Sequence, residues 1–269
     1  MSMSWKLGRV AGIDVFLHPT FLLVLLPGLF GGGPSLPLLI ALFGCVVLHE
    51  LGHALMARRF GIETVNITLY PIGGVARLTR MPRAPGAELL IALAGPAVNF
   101  AIAAALIGLG FAGLADFGTE SGLGGFLGGL LVVNLMLGLF NLIPAFPMDG
   151  GRILRAVLSG WLGRGRATSV AATIGRTLAL LFGIYSLLPW QFNLLHVALA
   201  VFIYFAASME EAGVLAEERR RSFDLDGSDG IWTAPPGYRW VQRGHGVWQL
   251  APVIVTTSDR GRNSSSWVG

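Results

Sequence analysis

Long apolar stretches recur from Val15 to Ser208, and they limit more than any other feature what this chain can fold into. A helix needs roughly 20 apolar residues to cross the hydrocarbon core of a membrane. Soluble domains carry about a quarter charged residues, whereas this chain is 13% charged and 54% apolar. A soluble core is the alternative, but its elements would alternate apolar with polar faces. The pattern therefore predicts an all-α polytopic membrane protein.

We predict about six transmembrane helices with a small membrane-associated β-hairpin. The first helix is short for a membrane span, so a tilted or irregular segment is an alternative there. The hairpin is predicted at Thr64–Tyr70, which alternates polar and apolar residues, and at the Pro71-Ile-Gly-Gly74 turn that follows. The predicted helices are Val15–Phe30, Leu36–Arg58, Glu88–Leu114, Phe126–Ala145, Thr168–Leu188 and Phe192–Ser208.

The basic residues predict how the chain is oriented. Lysines and arginines lie before the first predicted helix, after the second, after the fourth and after the sixth, and the alternate connections contain none. By the positive-inside rule both termini are cytoplasmic, which agrees with an even number of spans. We therefore predict a multi-pass protein of the cell membrane.

Composition also predicts the division of the chain. We expect a membrane core of residues 1–212 and a cytoplasmic, polar, loosely ordered tail of residues 213–269, which is rich in Gly, Ser, Asp and Pro. The net charge of +4 comes from arginines near helix ends, so we expect no nucleic-acid partner.

The second predicted helix contains the pattern H-E-x-x-H, in the segment Cys45-Val-Val-Leu-His49-Glu50-Leu-Gly-His53. Residues four apart lie on one face of a helix, so both histidines can bind one metal ion, and Glu50 can act on a water molecule there. Imidazole nitrogen suits zinc. Ionisable side chains inside an apolar helix are costly and indicate function. A polar cluster that only packs helices is the alternative.

A catalytic zinc site usually has three protein ligands, so a third ligand is required. Asp149 is the candidate, because two prolines before it break the fourth helix and two glycines after it allow a sharp turn. An N-cap for the following helix explains Asp149 equally well. Cys45 lies one turn before His49 and is another possible donor, although a buried apolar role is favoured for it.

Taken together, these motifs resemble the site-2 protease family of intramembrane zinc metalloproteases. The resemblance covers about residues 5–212 and includes Gly73-Gly74 and Gly95-Pro96-Ala-Val-Asn99. The layout is similar to that of archaeal-type and sporulation-protease-like members. Many of these carry CBS domains and other members carry PDZ domains, but we expect neither domain here.

The resemblance implies a function and a role for each motif residue. Glu50 corresponds to the catalytic glutamate, and Asn141 to an asparagine that contacts the substrate. The implied reaction is hydrolysis of peptide bonds in or near transmembrane segments, as in regulated intramembrane proteolysis. The substrate is a membrane protein in the lipid bilayer, such as a membrane-anchored regulator or a signal-peptide remnant. The implied zinc ligands are His49, His53 and Asp149.

Two other functions and one mechanistic detail stay open at this stage. A metal transporter or sensor would spread polar groups along a path, whereas here they concentrate near one membrane depth. An inactive protease-like scaffold is opposed by the presence of Glu50. A helical substrate must unwind before it is cleaved, and the strand Thr64–Tyr70 either pairs with it by strand addition or serves only as a structural cap.

Overall fold

The computed structural model describes residues 4–24, 35–71, 73–80, 82, 84–115, 117, 122–188, 190, 192–226, 234, 236–242 and 248–253. The chain divides into two compact units, Met1–Val214 and Leu215–Gly269. The second unit contains an antiparallel pair of strands, Tyr238–Gln242 and Trp248–Pro252. That residues 213–269 form a loosely ordered cytoplasmic tail stays a prediction.

Helices dominate the described residues, and all but the fourth are long and apolar enough to cross a membrane. The prediction of an all-α polytopic fold is therefore confirmed, with five such helices among the described residues where about six were predicted. The sixth helix extends well beyond the predicted end at Ser208, and the fourth is an additional short helix after the predicted break. The helices are α1 Leu36–Arg59, α2 Pro85–Phe111, α3 Gly122–Asn141, α4 Asp149–Leu162, α5 Arg164–Ser186 and α6 Leu194–Asp226.

The first predicted span differs from the structure wherever that segment is described. Ile13–Leu17 is a β-strand and Pro19–Val24 is a short 3-10 helix. The strand forms because neighbouring strands on both sides satisfy its backbone hydrogen bonds. Pro19, which has no amide hydrogen, lies two residues after its end. Residues 25–30 of the predicted span lie outside the described residues.

The predicted hairpin is present, but it is half of a larger sheet. Four strands lie in the order β1–β2–β3–β4; β1 and β2 are antiparallel, β2 and β3 parallel, and β3 and β4 antiparallel. Within this sheet β3 is paired on both sides, whereas β4 is an edge strand. The strands are β1 Trp5–Val10, β2 Ile13–Leu17, β3 Thr64–Tyr70 and β4 Gly73–Leu78.

Helix α1 is packed closely between the sheet and α2. Leu69 of β3 lies in a buried cluster with Phe21 and with Val46 of α1. On the α2 side, a Cβ atom at Gly52 would lie 2.7 Å from the carbonyl oxygen of Ala94. A larger residue at Gly52 would force the two helices apart. The sheet and α2 therefore both lie against the part of α1 that carries the H-E-x-x-H pattern.

Candidate metal centre

Three predicted ligand residues meet at the centre of the fold. His49 and His53 are 5% and 6% exposed, and their Nε2 atoms lie 3.1 Å apart on one face of α1. The Oδ2 atom of Asp149 lies 3.1 Å from Nε2 of His49 and 3.0 Å from Nε2 of His53. Two segments a hundred residues apart in the chain thus form one compact, buried group.

The break between α3 and α4 brings Asp149 to this position. Helix α3 ends at Asn141 and α4 begins at Asp149. A Cβ atom at Gly150 would lie 2.1 Å from the carbonyl oxygen of Ile143. Because glycine has no side chain, the start of α4 packs directly on the connection between α3 and α4. Met148 is the N-cap residue, and no side chain caps the helix. The N-cap explanation of Asp149 is therefore wrong, since its carboxylate faces the histidines instead.

A chain of buried amides fixes the proton position on His49. The carbonyl oxygen of Leu130 can only accept, so it pairs with Nδ2 of Asn134 at 2.8 Å. Oδ1 of Asn134 then accepts from Nδ2 of Asn99 at 3.0 Å. This leaves Oδ1 of Asn99 to accept from Nδ1–H of His49 at 2.6 Å. The Nε2 atom of a neutral His49 therefore presents a lone pair to the centre of the site.

His53 has the same tautomer for a simpler reason. Its Nδ1–H donates to the backbone carbonyl oxygen of Ile91 at 2.7 Å, so its Nε2 atom also presents a lone pair. Three electron-pair donors, one of them anionic, converge in a buried space, and a bound cation would satisfy all three.

The donor set fits zinc. Two imidazole nitrogens and one carboxylate oxygen leave one position open, as in catalytic zinc sites. Bonds of about 2.0–2.1 Å at tetrahedral angles separate ligand atoms by roughly 3.3 Å, and the observed separations are 3.0–3.1 Å. A Cβ atom at Gly95 of α2 would lie 2.2 Å from Nε2 of His53. Helix α2 can pass this close to the rings only because that residue is glycine.

Glu50 lies beside the ligands and contacts the edge of the sheet. One of its carboxylate oxygens, Oε2, accepts a hydrogen bond of 3.2 Å from the backbone amide of Ala76 in β4. A Cβ atom at Gly74 would lie 2.5 Å from Cγ of Glu50, so the strand is in close contact with this side chain. Glu50 is half-buried. The Glu50 carboxylate therefore lies next to the candidate metal site but is not one of its three converging residues.

The other predicted residues lie in different surroundings. Cys45 is buried and lies 3.3 Å from Nδ2 of Asn134; it does not belong to the converging group. The amide of Asn141 donates to the carbonyl oxygen of Leu137 in its own helix at 3.0 Å. Sequence reasoning missed Asn134, although an amide side chain within an apolar helix was a signal that could have found it.

Comparison with known families supports the motif analysis. The pattern of peptidase family M50 matches residues 37–118 and 115–182, which together include Glu50 and the three converging residues. This chain belongs to peptidase family M50. The predicted resemblance to site-2 proteases is thereby confirmed, because a solved structure described as a site-2 protease is also similar to it. That structure, from Methanocaldococcus jannaschii, is 43% identical, has a TM-score of 0.59, and is covered over 95% of its length by 77% of this chain.

Two curated relatives extend the comparison. A zinc metalloprotease of Methanocaldococcus jannaschii is 42% identical over 224 residues, which are 81% of this chain and 63% of that protein. Stage IV sporulation protein FB of Bacillus subtilis is 26% identical over 202 residues, which are 74% of this chain and 66% of that protein. The M50 chain thus spans less than two thirds of the length of either relative.

Proposed function

We propose that this chain is an intramembrane zinc metalloprotease that hydrolyses peptide bonds within or near transmembrane segments of membrane proteins. The observation that carries the proposal is the buried convergence of His49, His53 and Asp149, with Glu50 beside it, among helices apolar enough to span a membrane. The named relatives support the same chemistry. The competing transporter or sensor function is disfavoured because it gives no role to Glu50.

Each residue of the site has a specific task in this reaction. His49, His53 and Asp149 hold the zinc ion, which when bound supplies Lewis-acid chemistry that acidifies water and polarises the scissile carbonyl. Glu50 takes a proton from the attacking water and delivers it to the leaving amine nitrogen as the peptide C–N bond breaks. Asn99 and the carbonyl of Ile91 keep both imidazoles in the ligating tautomer.

The test of this function is the dependence of cleavage on zinc. The purified chain is reconstituted into liposomes with a model transmembrane substrate that contains a helix-breaking pair of residues. We expect cleavage to stop when a chelator removes zinc and to return when zinc is added back. Zinc that binds tightly while no substrate is cut, and that instead crosses the bilayer, would favour the transporter function.

The substrate is presented as an extended strand in this proposal. A transmembrane helix must unwind before its peptide bonds can be attacked. Of the two alternatives for β3, strand addition does not fit, because β3 already pairs with β2 and β4 and has no free edge within the sheet. β4 is an edge strand of this sheet, and its Ala76 amide donates to Glu50. An unwound substrate that adds to β4 would therefore lie next to the general base.

The proposed location is the cell membrane, with both termini in the cytoplasm. The positive-inside distribution supports this orientation. The pairing of β2 with β3 supports it as well, because the strands before and after α1 then lie on the same side of the membrane. Reporter fusions after Gly269 and between residues 116 and 120 are expected to lie on opposite sides of the membrane. Reporters on the same side would contradict the topology. The proposed substrates are a membrane-anchored regulator or a signal-peptide remnant, cleaved in a regulated pathway.

Asn141 is proposed to contact the substrate. Its position at the end of α3 and the family resemblance support this role. Asn141→Ala is expected to lower the rate of cleavage, by about 10²–10³-fold if the amide stabilises the oxyanion, and to leave zinc content unchanged. Zinc analysis and cleavage of the same preparation measure both effects. Loss of zinc in this variant would instead assign Asn141 a structural or ligating role.

A further inference from the structure

One face of α2 carries a series of residues that orient the metal ligands. The carbonyl of Ile91 accepts a hydrogen bond from His53, and Asn99 accepts one from His49. Gly95, between them, leaves room for both imidazole rings. Glu88 lies on the same face one turn before Ile91, because the spacing of three to four residues repeats along the helix. Glu88 is only 4% exposed, and its partner is on α4, the helix that begins with Asp149.

That partner is Arg155, a guanidinium that is itself 1% exposed. Its Nε donates to Oε1 of Glu88 at 2.7 Å, and its Nη2 donates to the same oxygen. Its Nη1 donates to Oε1 of Glu210 on α6 at 2.7 Å. The second oxygen of Glu88 accepts from Arg164 at 3.1 Å. The buried charges are therefore balanced, and α4 is attached to α2 through a directional fork of hydrogen bonds.

Arg155 also contacts the connection that leads into Asp149. Its guanidinium carbon lies 5.1 Å from the centre of the Phe146 ring, a cation–π arrangement. Phe146 is 1% exposed and packs against Ala171, Ala172 and Ala207. A Cβ atom at Gly151 would lie 2.7 Å from the backbone nitrogen of Phe146, so the connection and the first turn of α4 are in direct contact.

We propose that Arg155 is the positioning residue for Asp149. Through Glu88 it fixes α4 against the face of α2 that orients both histidines. Through Phe146 it holds in place the connection that precedes Asp149 in the chain. Contacts with α2 then set the positions of all three ligands. The inference rests on the proposed function, because it assumes that these ligands bind zinc.

Lysine cannot replace arginine in this arrangement. A lysine ammonium keeps the charge, but it is not planar. It cannot donate to Glu88 and Glu210 at the same time and also lie flat on the Phe146 ring, as a guanidinium can. Functional geometry has to be held to within roughly 0.5 Å. Loss of residues that orient metal ligands typically costs about 10–100-fold in metal affinity. We therefore expect Arg155→Lys to weaken zinc binding while preserving charge.

The experiment measures zinc release from the purified, zinc-loaded full chain in detergent, with a chromophoric chelator in excess. Arg155→Lys is expected to release zinc about 10–100-fold faster than the wild type. The matched control is Arg176→Lys. Arg176 pairs with Glu211, which adjoins Glu210 on α6, and it also bonds Thr173 one turn earlier in its own helix. We expect wild-type zinc release from this control, even if both variants lose similar thermal stability in the metal-free form.

A second variant covers the case in which Arg155→Lys does not fold. Glu88→Gln keeps an oxygen that accepts from Arg155 but removes the charge, and it is expected to release zinc at a rate between those of the wild type and Arg155→Lys. Wild-type release from both site variants, or equal acceleration in Arg176→Lys, would overturn the inference alone. A wild-type chain that holds no zinc would contradict the proposed function as well.

Discussion

Replacing Glu50 with glutamine is expected to lower peptide-bond cleavage by about 10²–10⁴-fold, the usual contribution of a general base, while zinc content stays at the wild-type level. Glutamine has nearly the same shape and keeps an oxygen that can accept from the amide of Ala76. It cannot take a proton from water. Zinc stays bound because Glu50 lies outside the group formed by the two histidines and Asp149.

The measurement combines cleavage of a transmembrane substrate with zinc analysis of the same preparation. Glu63→Gln is the matched control, since Glu63 is an exposed glutamate in the connection between α1 and β3. This control should cleave like the wild type. Near-normal cleavage by Glu50→Gln would remove the general-base assignment, and loss of its zinc would make Glu50 a ligand.

The sequence predicted the apolar helices well because length and apolar composition decide whether a segment can span a membrane. It failed at Val15–Leu17, which is strand β2 and not the start of a helix. A short apolar run fits a strand or a helix equally well by periodicity. One of its two partner strands is β3, about fifty residues further along the chain, and pairing over that distance leaves no mark in a local pattern.

At the metal centre, the sequence predicted the histidines because both lie on one helix face. Spacing could not separate a ligand from an N-cap at Asp149, since it does not say where a carboxylate points. The acceptor for His53 is the backbone carbonyl of Ile91, which any residue could supply. Arg155 was one of several arginines that only marked orientation, and the pattern did not reveal that this one is buried against Glu88.

The contacts at Asp149 predict the outcome of its replacement. Two neutral imidazoles donate electron pairs but no negative charge, so Asp149 is the only anion in the converging group that balances a divalent ion in this apolar surrounding. Asparagine keeps the shape of the side chain and removes the charge. Asp149→Asn is therefore expected to lose zinc affinity by more than the roughly 10–100-fold typical of residues that only orient ligands, and to lose cleavage with it.

Cys45→Ala is the control for that experiment, because Cys45 is the other donor considered for the third position. Cys45 lies one turn before His49, and a helix rises about 5.4 Å per turn. Three ligands along one straight face cannot easily surround a tetrahedral ion, whereas a ligand from α4 closes the site from the side. The thiol is instead close to Asn134. Cys45→Ala should keep its zinc; loss of zinc there, with zinc retained in Asp149→Asn, would make Cys45 the third ligand.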